Sequence, residues 1–467
     1  MQRDVVITGI GAVSAAGTGA DALWQALDEG AVKTGPISAL DASGFPCRLG
    51  GEVPDLKARD FVPKSYRKAT KVMARDTELA VVAAQLAIAD AGLSSRGSGE
   101  TGSCATGDGA HAIVPERTGC QIGAGLLSAE VNELTAALAT STDDQGRFDL
   151  KQWGSGSAAG GDGANAMGNL PPLWMLKYLP NMLACHVTII HGAEGPSNTI
   201  TCAESSGILC VGEASRVIER GDADVCFAGG AESKLNPLGL LRLTFAKRLA
   251  DTGESSDASA FALPYSESST GGLPGEGGAI LMIEGRAHAR ARGATIYAEV
   301  AGFGAGHSGV PIFPGVFDED PGPTQTDAGL FRAIRAALDD AGVEPDEIDA
   351  IVPGALGVPS ADAGEQNALR AVFGDRLAAI ETITVAPNVG VATAGHGALL
   401  LAAGALAIRH QRLPARVHAS GTGTEPSPLR VGACASRDAS LHTVLVCTPS
   451  LGGQVGAVVL RKSDRDA

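Results

Sequence analysis

"GPSNTITCAESSGILCVGEASRVIERG" (residues 195–221) reads as a short strand, a sharp turn and then a helix. A helix start of this kind can mount a nucleophile, because its backbone N–H groups and dipole favour negative charge. Two side chains at the turn carry chemistry, Cys202 and Glu204. Which of them occupies the turn decides whether this chain forms bonds itself or only helps another chain to form them.

Working outward, the helix at 205–221 has a loose counterpart in "HGALLLAAGALAIRHQ" (396–411). A second pair occurs in the same order. "ELAVVAAQLAIADAGL" (78–93) is apolar on one helical face and stops at Gly92, and "LFRAIRAALDDAGV" (330–343) has nearly the same ending. Two correspondences in one order predict an internal duplication. Short strands alternate with these helices, and "DEIDAIVPGALG" (346–357) supplies a strand and a Gly-rich turn in the second half. That alternation predicts an α/β fold of βαβ units. The Gly/Ser-rich stretches 94–109 and 154–169 read as surface loops. The second leads into "LPPLWMLKYLPNMLACHV" (170–187), whose apolar and aromatic content predicts burial or a subunit contact.

Composition narrows the function. The chain has 467 residues, 63 of them Gly, with 19% charged residues, 4% aromatic residues and a formal net charge of −16. So few stacking side chains and so negative a balance exclude nucleic acid as a partner. The amino-terminal "MQRDVVITGIGAV" passes at once into a β-branched strand, unlike a signal peptide. No apolar window is long enough for a membrane span, so a cytoplasmic location is expected. The nine cysteines, at 47, 104, 120, 185, 202, 210, 226, 434 and 447, contain no C-x-x-C pair. They predict buried small hydrophobes, with neither a disulfide framework nor a metal site, and no cofactor is expected.

Long blocks in order carry a resemblance over nearly the whole chain. They include "VVITGIGAVSAAG" at the start, "ALDASGFPCRLGGEVPD" (39–55), "LPNMLACHVTIIHGAEGPSNTI" (179–200) and "GEASRVIERGDADVCFAGGAE" (212–232). "GEGGAILMIE" (275–284), "HARARGATIYAEVAGFG" (288–304) and "GGQVGAVVLRK" (452–462) continue them. The chain resembles the β-ketoacyl-acyl carrier protein synthases, condensing enzymes of the thiolase superfamily, of the type II elongating kind. The resemblance implies a duplicated thiolase-like fold, layered α-β-α-β-α with two mostly parallel mixed sheets. It also implies an amino-terminal half at 1–286 and a carboxy-terminal half at 287–467.

In that family a Cys at the elbow takes the acyl chain, and two His assist decarboxylation of the malonyl unit. Counting forward from Gly195-Pro196 and backward from Gly212 both place the family's Cys at Glu204, with Cys202 two positions earlier. The first His block aligns to Val352–Leu356, anchored by Pro359, Asp362 and Glu365, and puts Gly354 at the His position. The second aligns to Ala386–Val391 and puts Val391 at the other His position and Ala386 at its Lys. Glu204, Gly354 and Val391 cannot do the original chemistry. The family's Phe-rich gate becomes Leu451 before Gly452-Gly453.

The bland readings are that Glu204 caps its helix, that Cys202 is an inert core thiol, and that His186 and His396 are buried and satisfied. Lys64, Arg67, Lys68, Lys71 and Arg75 concentrate cations on an acidic chain. They read either as a solvated face or as a docking surface for the acidic acyl carrier protein. The resemblance points to a catalytically impaired paralogue comparable to chain length factors, although those typically carry Gln at the elbow. The expected partners are an active β-ketoacyl synthase homologue, in a heterodimer, or a second copy of this chain. Alternatives are an active synthase using Cys202, a malonyl decarboxylase, and an acyl-binding module without a synthase partner.

Overall fold

Residues 5–14 alternate β-branched residues with small ones, and the strand they form, β1 (Val5–Ser14), is buried along its whole length. Further strands of the first half are β2 (Thr118–Gly123), β3 (Ser197–Ile200), β4 (Val225–Ser233) and β5 (Glu276–Gly285). Those of the second half are β6 (Ala298–His307), β7 (Ala350–Val352), β8 (Glu381–Thr382), β9 (Thr443–Thr448) and β10 (Gln454–Arg461). The computed structural model describes residues 4–98, 111–154, 166–170, 173–309, 326–417 and 429–463.

The halves repeat one another strand for strand. The first is ordered β3-β2-β4-β5-β1 and the second β8-β7-β9-β10-β6. In both, the fifth strand runs antiparallel to its two neighbours, while the three strands beyond it are mutually parallel. The two expected sheets are these two halves, but they are not separate. A short antiparallel contact, Val6 opposite Glu299 and Ile7 opposite Ala298, joins them into one eleven-stranded sheet, with Gly17–Thr18 folded back on β1 as the remaining strand. The contact pairs edge groups that would otherwise lie open beside each other.

Helices complete the layers. Those used below are α1 (Arg75–Asp90), α2 (Met182–His191), α3 (Ser206–Glu219), α4 (Pro237–Phe245), α5 (Arg286–Ala291), α6 (Ala328–Ala341), α7 (Pro359–Phe373) and α8 (His396–His410). α1 lies on β1, β5 and β4, and α6 lies on β6 and β10 in the same way. α3 and α8 touch each other and strands of both halves, forming the central layer of an α-β-α-β-α stack. One apolar cluster fills that centre, and two others lie beneath the outer helices.

The duplication is visible at single atoms. A Cβ on Gly11 would lie 1.9 Å from the Ala83 carbonyl oxygen, and one on Gly304 would lie 2.0 Å from that of Ala333. Bare backbone in the strand and alanine in the helix let each outer helix sit directly on its sheet. Both helices then stop at a glycine in the left-handed conformation, Gly92 (φ 64) and Gly342 (φ 60). Within the apolar segment following the second Gly/Ser stretch, Leu173 (64% exposed) and Met175 (59%) are uncovered in the single chain. No helix of the described residues is long and apolar enough to cross a membrane.

Candidate functional site

β3 delivers the chain to Cys202, and a 3₁₀ turn, Ala203–Ser205, then leads into α3. Ala203 sits at the corner with φ 43. The second half repeats the corner at Thr393 (φ 39), in the 3₁₀ turn Thr393–Gly395 before α8. Each forced left-handed residue costs about 1–3 kcal/mol, which the surrounding packing has to offset. The two corners press together, for a Cβ on Gly397 would meet the Glu204 carbonyl oxygen at 2.8 Å. Glu204 therefore occupies the turn, and Cys202 lies between the end of β3 at Ile200 and the 3₁₀ turn.

Glu204 is 2% exposed and fully engaged. Its Oε1 accepts from Arg248 Nη2 at 2.8 Å, and its Oε2 accepts from the Leu451 backbone N–H at 2.8 Å. Burial opposes the charge, but Arg248 and the Leu451 N–H outweigh it and hold the carboxyl below the usual carboxylate range. The carboxylate is thus an ionised partner of Arg248, which differs from simple helix capping. Arg248 follows α4, and sequence reasoning missed it because nothing local marks a cation so far along the chain as the partner of residue 204.

Glu204, Arg248 and Val391 line one cleft with Leu243, Leu356 and Thr393. Its volume is about 20 Å³, room for about one water. The Val391 backbone is fixed on both sides: its N–H donates to the Leu273 carbonyl, and its carbonyl accepts from the Gly275 N–H.

Gly354 lies outside that cleft lining, in a loop held by two buried carboxylates. Glu365 accepts from the N–H groups of Gly354 and Ala355 and from the Tyr265 hydroxyl, and Asp362 accepts from the N–H groups of Leu356 and Tyr265. Burial pushes Asp362 up to about 7 and Glu365 up to about 8. A Cβ on Gly354 would lie 2.5 Å from Thr448 Oγ1 and 2.9 Å from Pro449 Cδ, so the space for a side chain is filled. The Gly354 carbonyl accepts from Nε2 of His396 at 2.9 Å. That bond places the proton of the neutral ring on Nε2, and burial keeps the ring neutral by lowering its pKa. Among the described residues His396 is only half satisfied, because its Nδ1 is buried with no partner, and His186 likewise bonds Tyr66 through Nδ1 alone.

Cys202 is half-buried, and burial pushes its thiol up, away from the thiolate form. Among the described residues no side chain hydrogen-bonds that thiol. Its backbone is fixed instead, with its N–H donated to Ser206 Oγ and its carbonyl accepting from Ser450 Oγ, each at 2.8 Å. Five other cysteines are buried, Cys185 and Cys434 are half-buried, and Cys104 lies outside the described residues. The gate residues Leu451, Gly452 and Gly453 follow Ser450, and Gly453 (φ 77) accepts from the Ser308 N–H through its carbonyl.

Of the five clustered cations, Lys64, Arg67, Lys68 and Lys71 are exposed along consecutive 3₁₀ turns. Arg75 departs from the docking expectation. It opens α1, turns inward and binds Glu276 at 2.6 Å and Glu78 at 3.6 Å, so its charge is already neutralised.

The amino-terminal domain model of the β-ketoacyl synthases matches residues 2–289, and the carboxy-terminal domain model matches residues 297–420. The chain belongs to the β-ketoacyl synthase family. Within that family it is 31% identical over 461 residues to the tetracenomycin polyketide synthase ketoacyl synthase beta subunit of Streptomyces glaucescens, covering 98% of each chain. It is 26% identical over 417 residues to the 3-oxoacyl-[acyl-carrier-protein] synthase 2 of Staphylococcus aureus (strain COL), covering 89% of this chain and 88% of that one. The solved structure of the ishigamide ketosynthase/chain length factor aligns at 26% identity with a TM-score of 0.78, covering 99% of this chain and 100% of that chain.

Proposed function

We propose that this chain is a catalytically impaired ketosynthase-like subunit that pairs with an active condensing enzyme in polyketide or fatty acid chain elongation. The observation that carries the reading is Glu204, a buried carboxylate neutralised by Arg248 at the position that register gives to the family's Cys. Such a group is a poor acyl acceptor, and its lone pairs already receive two donors. Gly354 has no room for a side chain, and Val391 offers no proton donor. The family's remaining contribution is a scaffold for a dimer.

Similarity to the ketoacyl synthase beta subunit and to the ketosynthase/chain length factor favours an active synthase as the partner. The exposed Leu173 and Met175 are suited to an apolar contact with it. The exposed Lys64, Arg67, Lys68 and Lys71 suit an acidic acyl carrier protein.

Co-expression with an intact synthase from the same source, followed by native mass spectrometry, tests the reading. A one-to-one heterodimer is expected. Alone, the chain should release no carbon dioxide from malonyl-carrier protein and carry no acyl group. Acylation of Cys202 and turnover abolished by Cys202→Ala would overturn the proposal.

A further inference from the structure

Three hydrogen bonds tie the elbow to the strand end and gate loop of the other half. Glu204 Oε2 accepts from the Leu451 N–H at 2.8 Å, Ser450 Oγ donates to the Cys202 carbonyl at 2.8 Å, and Ser205 Oγ donates to the Thr448 carbonyl at 3.1 Å. The first differs from the others, because its acceptor is a charge that is buried and fixed from behind by Arg248. The cleft that Glu204 and Arg248 line has about 20 Å³, whereas pockets that take a small molecule run to about 300–1,000 Å³.

We infer that Arg248, through Glu204, latches the 450–453 gate over this subunit's own acyl site, so that the chain excludes acyl thioesters from it. Arg248 is a positioning residue here: its guanidinium holds Glu204 Oε1, which aims Oε2 at the Leu451 amide. The latch rests on the reading that residue 204 stands where the family mounts its nucleophile. It adds to that reading a reason why an elongating chain has one site to occupy in a heterodimer, the partner's. A carboxylate alone, without the cation, could not stay charged at 2% exposure, and a cation alone would not reach the gate amide. Glu204 and Arg248 therefore act as one device.

Hydrogen exchange at the Leu451 amide reads the latch directly, and alkylation of Cys202 by a maleimide, followed by peptide mass spectrometry, reads access to the elbow. Arg248→Ala should speed both by at least about tenfold, the loss expected for one charge-assisted hydrogen bond. Cys185 and Cys434, half-buried elsewhere, should keep their rates. Should Arg248→Ala unfold the chain, the double change Glu204→Leu with Arg248→Met removes the latch without stranding a charge, and it should give the same two increases. Unchanged exchange and labelling in a folded variant that still co-purifies with the synthase would overturn the latch and leave the partner reading standing. Failure of the unaltered chain to assemble with any synthase would instead overturn the partner reading.

Discussion

Glu204 places a structural demand of its own on the fold, because it is a buried carboxylate paired with Arg248. Removing Arg248 leaves its carboxylate buried and unpaired, so Arg248→Ala should cost about 3–5 kcal/mol in denaturant unfolding, whereas Glu204→Leu with Arg248→Met should be near neutral. The pH dependence follows from the sign of the shift. The folded carboxyl lies below its usual range, so its contribution is present above the ordinary carboxylate pKa and is lost as pH falls through the depressed value. Glu204→Cys should not restore condensation, because Gly354 and Val391 remain. Adding Gly354→His should not rescue it either. The new side chain would meet Thr448 and Pro449, costing about 1–3 kcal/mol of stability by overpacking. Condensation assays and denaturation curves on these variants check both statements.

At the level of one element, the cationic cluster around the start of α1 divides into two environments that the sequence shows as one. Lys64, Arg67, Lys68 and Lys71 face solvent, while Arg75 belongs to the helix and to Glu276. Reversing the charge of Lys68 and Lys71 should weaken binding of the acyl carrier protein and flatten its salt dependence, with stability changed by no more than about 0.5 kcal/mol. Arg75→Ala should do the opposite: lose about 1–3 kcal/mol of stability by stranding the buried Glu276, and leave the salt slope of carrier binding nearly unchanged. Binding titrations at two ionic strengths, with unfolding curves beside them, separate the two. Tyr66 anchors the same segment to α2 through His186, at 2.8 Å.

Across the whole molecule, the junction between the halves is held by charge. Arg286, in α5, binds Glu299 at 2.9 Å and Asp4 at 3.3 Å, and it donates to Ser463 Oγ at 2.8 Å. One guanidinium thereby joins β6 to the residue before β1 and to the segment after β10. Beside it, the buried Glu284 bonds Arg292, His288 and Thr8. Burial would raise its pKa, but the bonds from Arg292 and His288 bring it down to about 2. The bond to Glu284 raises His288 in turn. A raised histidine contributes stability fully below its ordinary pKa of about 6.5 and loses it as pH rises through the folded value. His288→Gln should therefore flatten the stability profile between neutral and alkaline pH, by less than about 1 kcal/mol because the imidazole is partly exposed. Equilibrium unfolding at several pH values measures it.

The sequence by itself determined the duplicated α/β architecture, because the periodic helices, their glycine stops and the strand-turn-helix at 195–221 are local patterns. It also named Glu204, Gly354 and Val391, because register along uninterrupted blocks needs only counting. Tertiary structure decided what those residues touch. The pairing of Glu204 with Arg248 joins residues 44 apart, and its bond to Leu451 spans 247. The filled space at Gly354 depends on Thr448 and Pro449 from a strand end of the same half. The inward turn of Arg75 depends on Glu276. The edge contact that makes two sheets one is a pairing of only two residues on each strand. Each of these is a contact between distant segments brought together by packing, and local periodicity carries no record of the partner.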